Sequence, residues 1–123
     1  MKDVLLVGVG GFIGAVLRYK TCGLILHHTV NWKFPVGTFL VNCGGCLVAG
    51  ILMVLAVKQD FFTPNTRLFL FTGILGGFTT FSAFGLETVY LLQRHEMVWA
   101  GLYVVLTVSV GILALWLGMS SVR

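Results

Sequence analysis

Residues 73–84 read Gly73-Ile74-Leu75-Gly76-Gly77-Phe78-Thr79-Thr80-Phe81-Ser82-Ala83-Phe84, glycines and hydroxyls set in the middle of an apolar run long enough to cross a bilayer. Lipid offers a backbone no hydrogen-bond partners, so such an interruption at membrane depth survives only where protein or a water-filled cavity supplies them. The pattern therefore predicts a membrane helix broken near its middle. Carbonyls and amides freed at a break become ion ligands, as in the discontinuous helices of transporters. The same small residues also suit a face on which two helices approach closely.

The rest of the chain belongs in lipid as well. A sequence of 123 residues that is 58% hydrophobic and 10% charged cannot hide its apolar surface in one soluble core. Four runs pass the length test of about 20 residues for a spanning helix: residues 4–26, 35–57, 68–92 and 97–118. The connections 27–34, 58–67 and 93–96 carry half of the charged residues and the turn-forming Asn31, Asp60 and Asn65. The expected fold class is an all-α membrane protein of four transmembrane helices, the third broken, in a single domain over residues 1–123. The connection 93–96 is short enough to make helices three and four antiparallel neighbours. Lys2 ahead of an apolar run imitates a secretory signal, but Asp3 cancels the basic start and no small-x-small cleavage site follows. The first run is kept as helix one.

Soluble-enzyme patterns fail on context. Gly8-x-Gly10-x-x-x-Gly14 imitates a dinucleotide fingerprint, which needs a strand-to-helix turn and a later acidic residue. Within a membrane helix, Gly10-x-x-x-Gly14 and Gly73-x-x-x-Gly77 instead suit close helix contact. Cys43-x-x-Cys46 has no second pair to complete a metal site, Cys22 stands alone, and His27, His28 and His95 fall in connections. The cysteines read as small apolar residues. No catalytic triad, metalloprotease motif or phosphate loop is present, so neither an enzyme nor a nucleic-acid partner is expected.

What remains is a thin set of polar side chains at membrane depth. Thr38 and Asn42, four apart, share a face of helix two that continues through Gly45 and Ala49. Tyr103 and Thr107 repeat that interval on helix four. Phe81 and Phe84 lie three apart after the break, with Glu87 one turn further along the same face. Amide N–H groups at Asn42, hydroxyls at Ser82, Tyr103 and Thr107, and the positive edges of aromatic rings favour an anion. There is no acidic ring of the kind cation channels use. Arg18 follows an uncharged stretch and either snorkels to the interface or lines a wet vestibule that concentrates anions.

Three segments together resemble a known family. Gly10-Gly11-Phe12-Ile13-Gly14-Ala15-Val16-Leu17-Arg18-Tyr19, then Gly37-Thr38-Phe39-Leu40-Val41-Asn42, then Gly76-Gly77-Phe78-Thr79-Thr80-Phe81-Ser82-x-Phe84 are similar to the signatures of the small fluoride channels called Fluc, or CrcB. The order, spacing and four-helix layout match, and the resemblance covers essentially the whole chain. It implies an antiparallel, dual-topology homodimer in the bacterial inner membrane, with two pores each lined by both subunits. By that similarity Phe81 and Phe84 line the fluoride path and Asn42 donates a hydrogen bond to the ion. Ser82, Tyr103 and Thr107 supply hydroxyls, and Arg18 matches a vestibule arginine. The carbonyls of Gly76 and Thr79 from two subunits hold a central, structural sodium ion. Ala83 and Gly111 stand where relatives often carry hydroxyls, which implies a shorter polar track.

The function implied is passive export. Hydrogen fluoride enters across lipid, dissociates in a less acidic cytoplasm, and leaves as the anion through the channel. Two other classes compete with this reading. A proton-coupled small multidrug transporter requires a carboxylate at membrane depth, typically in helix one, where residues 4–26 have none. A membrane assembly protein requires no ion flux at all. The charge pattern adds a topological expectation. Lys2, Lys58, Arg67 and Arg123 fall on one side of the membrane, and Lys33 and Arg94 on the other, joined by Arg18 and Lys20 if the end of the first helix is drawn generously. The count is four against four with them and four against two without. Orientation is set by a Lys/Arg excess, so a balanced chain has little to choose between two insertions.

Overall fold

Apolar runs of this length close their own backbone hydrogen bonds as helices, and a computed structural model, which describes residues 1–122, shows four helical segments long and apolar enough to cross a membrane. Arg123, counted in the charge balance, lies outside the described residues. The first segment, α1 (Lys2–Thr29), is about 42 Å long at 1.5 Å per residue. It exceeds the hydrocarbon thickness of about 30 Å and carries His27 and His28 in its last turn, not in a loop. The second, α2 (Val36–Val57), starts after Pro35, whose ring fits the entry to a helix.

The third segment spans Pro64–Gln93 and is composite. Thr63 caps its start by accepting from the Thr66 amide at 3.2 Å, with Pro64 at the first helical position. A short α3 (Pro64–Arg67) passes into a wide π-helical stretch (Leu68–Leu75) and then a single α-turn, α4 (Gly76–Phe78). Thr79 and Thr80 are extended, at φ/ψ of −85°/155° and −150°/121°. Thr80 then caps α5 (Phe81–Gln93). A tight turn with His95 at φ 60° leads into α6 (Met97–Ser121).

The break therefore sits at the two threonines. Gly76 is helical at φ −61° and ψ −36°, and no glycine among the described residues has a positive φ. The glycines serve packing instead. A Cβ on Gly10 would lie 2.8 Å from the Gly73 Cα, and one on Gly77 would lie 3.0 Å from the Gly11 Cα. On Gly14 it would run into the Ile74 carbonyl and the Phe78 amide. This seam holds α1 against the π-helical stretch and α4. A second seam joins α2 to α6, where Gly50 meets the backbone of Leu115 and Gly118 meets that of Leu47.

Polar contacts tie the connections. Lys33 Nζ meets Glu96 Oε1 at 2.9 Å, pinning the α1–α2 connection to the entry of α6. Arg67 donates to the Ala56 carbonyl at the end of α2 and to Asp60 Oδ1 at 3.0 Å.

The two kinds of glycine predict different outcomes on one helix. Gly14→Ala is expected to cost about 1–3 kcal/mol, as overpacking does. Gly23→Ala, with nothing within 4 Å of the added carbon, is expected to hold or gain stability. Denaturation of the purified protein in detergent measures both, and equal behaviour of the pair would contradict the tight seam.

Candidate functional site at the helix break

A helix interrupted at Thr79–Thr80 leaves backbone groups that need partners, and α2 supplies them. The Thr80 amide donates to Asn42 Oδ1 at 2.8 Å, and Asn42 Nδ2 donates back to the Thr80 carbonyl at 3.0 Å. Asn42 thus uses its acceptor and one of its two N–H donors on the break, leaving the second N–H for a further acceptor such as an anion. The Thr80 hydroxyl accepts from the Ala83 amide at 3.2 Å and lies 3.3 Å from Ser82 Oγ. Gly45, one turn beyond Asn42, admits the methyl of Thr79, which a Cβ there would displace.

Two carbonyls come out of this arrangement without their helical donors. In an unbroken helix the Gly76 carbonyl would receive the Thr80 amide and the Thr79 carbonyl the Ala83 amide. Here Asn42 takes the first amide and the Thr80 side chain takes the second. Gly76 is also exposed. Neutral carbonyl oxygens of this kind suit a hard cation, so the donor set at Gly76 and Thr79 fits the sodium ion expected there. Among the described residues no cluster of His, Cys, Asp and Glu offers a side-chain metal site.

Beyond the break, rings form a ladder. Phe81 and Phe84 have centroids 5.7 Å apart, Phe84 and Tyr103 5.0 Å, Tyr103 and Phe34 5.4 Å, and Phe34 and Phe39 5.2 Å. All are tilted or edge-on, so positive ring edges are presented along the row. The ladder runs from the surface to the core, since Phe81 is 83% exposed and Tyr103 is fully buried.

Glu87 lies where the stripes meet. Its Oε1 accepts from Thr38 Oγ1 at 2.5 Å and its Oε2 from the Tyr103 hydroxyl at 3.0 Å, linking α2, α5 and α6. It also borders several hollows, two of them flanked by charged side chains. One, of about 430 Å³, is shared with Arg18, Thr80 and Ala83. The other, of about 530 Å³, opens among Lys33, Tyr90, Arg94 and Glu96. Arg18 thus fronts the hollow beside the break, as a vestibule residue would. Thr107 is one turn from Tyr103, and its Oγ1 is buried without a hydrogen-bond partner among the described residues. Gly111, one turn further, lies beside the Cys46 sulphur, which a Cβ there would meet at 3.6 Å.

Of the residues singled out in the sequence, Asn42, Thr79 and Ser82 lie at the break with Gly76 one turn before it, Phe81, Phe84 and Tyr103 share the row of rings, Thr107 follows Tyr103 on α6, and Arg18 borders the hollow beside the break. The sequence puts Thr38 on the stripe of Asn42 and Glu87 on that of Phe81 and Phe84, but does not show the hydrogen bonds that join Thr38 and Tyr103 to Glu87 or Asn42 to Thr80. The signals were present: Thr38 lies one turn before Asn42, and Glu87 is the one acidic residue at membrane depth.

Residues 5–119 match the family described as CrcB-like protein, Camphor Resistance (CrcB). The chain is 48% identical to the fluoride-specific ion channel FluC of Methylobacillus flagellatus, over 100% of this chain and 96% of that one. It is 41% identical to the FluC of Flavobacterium psychrophilum over 97% and 95% of the two chains. A fluoride-specific ion channel of Methanosarcina acetivorans is 42% identical over 98% and 91%.

The Glu87 network makes a prediction about Tyr103. Tyr103→Phe keeps the ring against Phe34 and Phe84 and deletes one of the two hydrogen bonds to Glu87. The variant is expected to remain folded and to lose about 1–3 kcal/mol, the usual cost of stranding a buried polar partner. A denaturation midpoint equal to that of the parent protein would show that the hydroxyl adds nothing.

Proposed function

The chain belongs to the CrcB-like family, and from that membership we propose that it is a passive, fluoride-selective channel that lets cytoplasmic fluoride leave down its gradient. The observation that carries this reading is similarity over the full length to proteins named as fluoride-specific ion channels. The geometry supports it through a row of ring edges that begins at exposed Phe81 and passes Phe84 to Tyr103, beside an Asn42 that keeps one N–H free. Ring edges and N–H groups attract a small anion without an opposite full charge, which would bind it too tightly to release. Phe81, Phe84, Asn42, Ser82, Tyr103 and Thr107 line the path in this reading, and Arg18 draws anions into the vestibule.

The working unit is an inverted homodimer. With Arg18 and Lys20 of α1 counted to the side where that helix ends, the eight Lys and Arg residues divide four against four, and without them four against two; the even count makes both insertions comparably favoured. The second copy covers the exposed break, and the Gly76 and Thr79 carbonyls of both copies hold one sodium ion, which adds a fixed positive charge and is not transported.

Liposomes carrying the purified protein test the reading with fluoride- and chloride-selective electrodes. Fluoride efflux without chloride efflux is expected. Phe81→Ile and Phe84→Ile keep bulk and remove the positive edge, so each is expected to stop the flux in a folded protein. Parent flux in both variants would reduce the rings to packing, and equal movement of both ions would reject a fluoride channel.

Topology has its own measurement. A cysteine at exposed Asn65, in a background without Cys22, Cys43 and Cys46, is labelled from outside intact cells with an impermeant thiol reagent. About half of the molecules are expected to react before lysis if insertion is balanced. Uniform labelling or uniform protection defeats dual topology.

A further inference from the structure

Asn42 is paired on both arms with a single residue of a different helix, and that pairing determines which backbone groups at the break are free. We propose that Asn42 is a positioning residue for the cation site, holding the break open by capturing the one amide that would otherwise close on the Gly76 carbonyl. The proposal rests on the reading above that this carbonyl helps to hold sodium.

The geometry is specific. Asn42 Oδ1 accepts from the Thr80 amide at 2.8 Å while Asn42 Nδ2 donates to the Thr80 carbonyl at 3.0 Å. A two-point grip on both polar groups of one residue fixes the rotation of the peptides on either side of it, as a single hydrogen bond does not. Thr80 is thereby kept extended at φ −150° and ψ 121°, so its amide points toward α2 and away from Gly76. Without the grip, the Thr80 amide loses its fixed acceptor and moves between solvent and the Gly76 carbonyl, its partner in an unbroken helix.

The neighbouring carbonyl is freed in a second way. Ala83 supplies the amide that would close on Thr79, and the Thr80 hydroxyl holds it at 3.2 Å. Thr80 therefore governs both carbonyls, one through its amide and one through its side chain, and Asn42 governs Thr80. Gly45 backs the arrangement from the same helix, because only a residue without Cβ lets α2 lie against the Thr79 methyl. A side chain that orients a metal ligand without touching the metal is typically worth about 10–100-fold in metal affinity.

The test uses the full-length protein purified in detergent, with sodium chloride titrated against N-methylglucamine chloride at constant ionic strength. Two quantities are read, the sodium concentration at half-maximal thermal stabilisation and the hydrogen-exchange rate of the peptide covering residues 76–84. In the parent protein, sodium is expected to raise the melting temperature. Asn42→Leu, of similar size and unable to grip, is expected to need about 10–100-fold more sodium and to exchange faster over residues 79–83 even without sodium. Asn42→Asp keeps an acceptor for the Thr80 amide, and is expected to lie between the two; it carries the test if the leucine variant does not fold.

A merely structural asparagine would lower the melting temperature equally with and without sodium, leaving the half-maximal concentration unchanged. That result, or parent-like exchange in the variants, overturns the proposal. If the parent protein itself ignores sodium, the cation reading fails. Faster exchange in the variants then still assigns the opening of the break to Asn42, and unchanged exchange removes that role too.

Discussion

A backbone at membrane depth cannot leave its amides and carbonyls to lipid, and the exchange of hydrogen bonds between Asn42 and Thr80 meets that constraint where the third helix breaks. Much of the packing follows from it. For Asn42 to reach Thr80, α2 must lie close to the break, and Gly45 allows it. For α4 to hold its place, α1 must press on it from the other side, and Gly10, Gly14 and Gly77 remove the atoms that would keep the two backbones apart. Gly50 and Gly118 then draw α6 onto α2, which carries Tyr103 to Phe84 and Glu87. The small residues spread along the chain are thus parts of one requirement, that three helices crowd around an interruption.

Glu87 raises the same constraint in a side chain. A carboxyl at membrane depth is costly unless its oxygens are occupied, and here each oxygen receives one hydroxyl, from Thr38 and from Tyr103. The two donors come from different helices, so the carboxyl also fastens α2 and α6 to α5. A carboxyl tied to hydroxyls in this way differs from one kept free to load and release protons against a substrate.

The four spans were legible because run length and the thickness of a bilayer are nearly the same measurement, and the break was legible because Thr79-Thr80 interrupts a run that has no other reason for hydroxyls. The glycines were read less well. Gly76-Gly77 looks like part of the interruption, yet both are helical, since a glycine permits a bend without requiring one, and at Gly77 the missing Cβ is used for contact with Gly11. Helix ends were also misjudged at α1, where His27 and His28 continue the helix because nothing in the sequence stops it before residue 30. Least visible were pairings between helices. Periodicity puts Asn42 on a face with Thr38, but which backbone that face meets depends on the approach of α2 to the break, a tertiary distance that no local pattern encodes.

One chain alone leaves the site incomplete in a way that physics does not tolerate in lipid. Gly76 is exposed, its carbonyl has lost the Thr80 amide to Asn42, and the aromatic ladder begins at a Phe81 whose ring is almost uncovered. Hydrocarbon against a free carbonyl costs several kcal/mol, so protein, water or a cation must face that surface. The inverted partner proposed here meets the need economically, since it places a second break against the first and converts two unsatisfied backbones into one shared cation site. Tyr103, in the middle of the ladder, is fully buried within one chain and asks for no such cover. The contrast between exposed Phe81 and buried Tyr103 is what the proposed dimer uses: its second copy would lie on the face that carries the break, where Gly76 and Phe81 are uncovered.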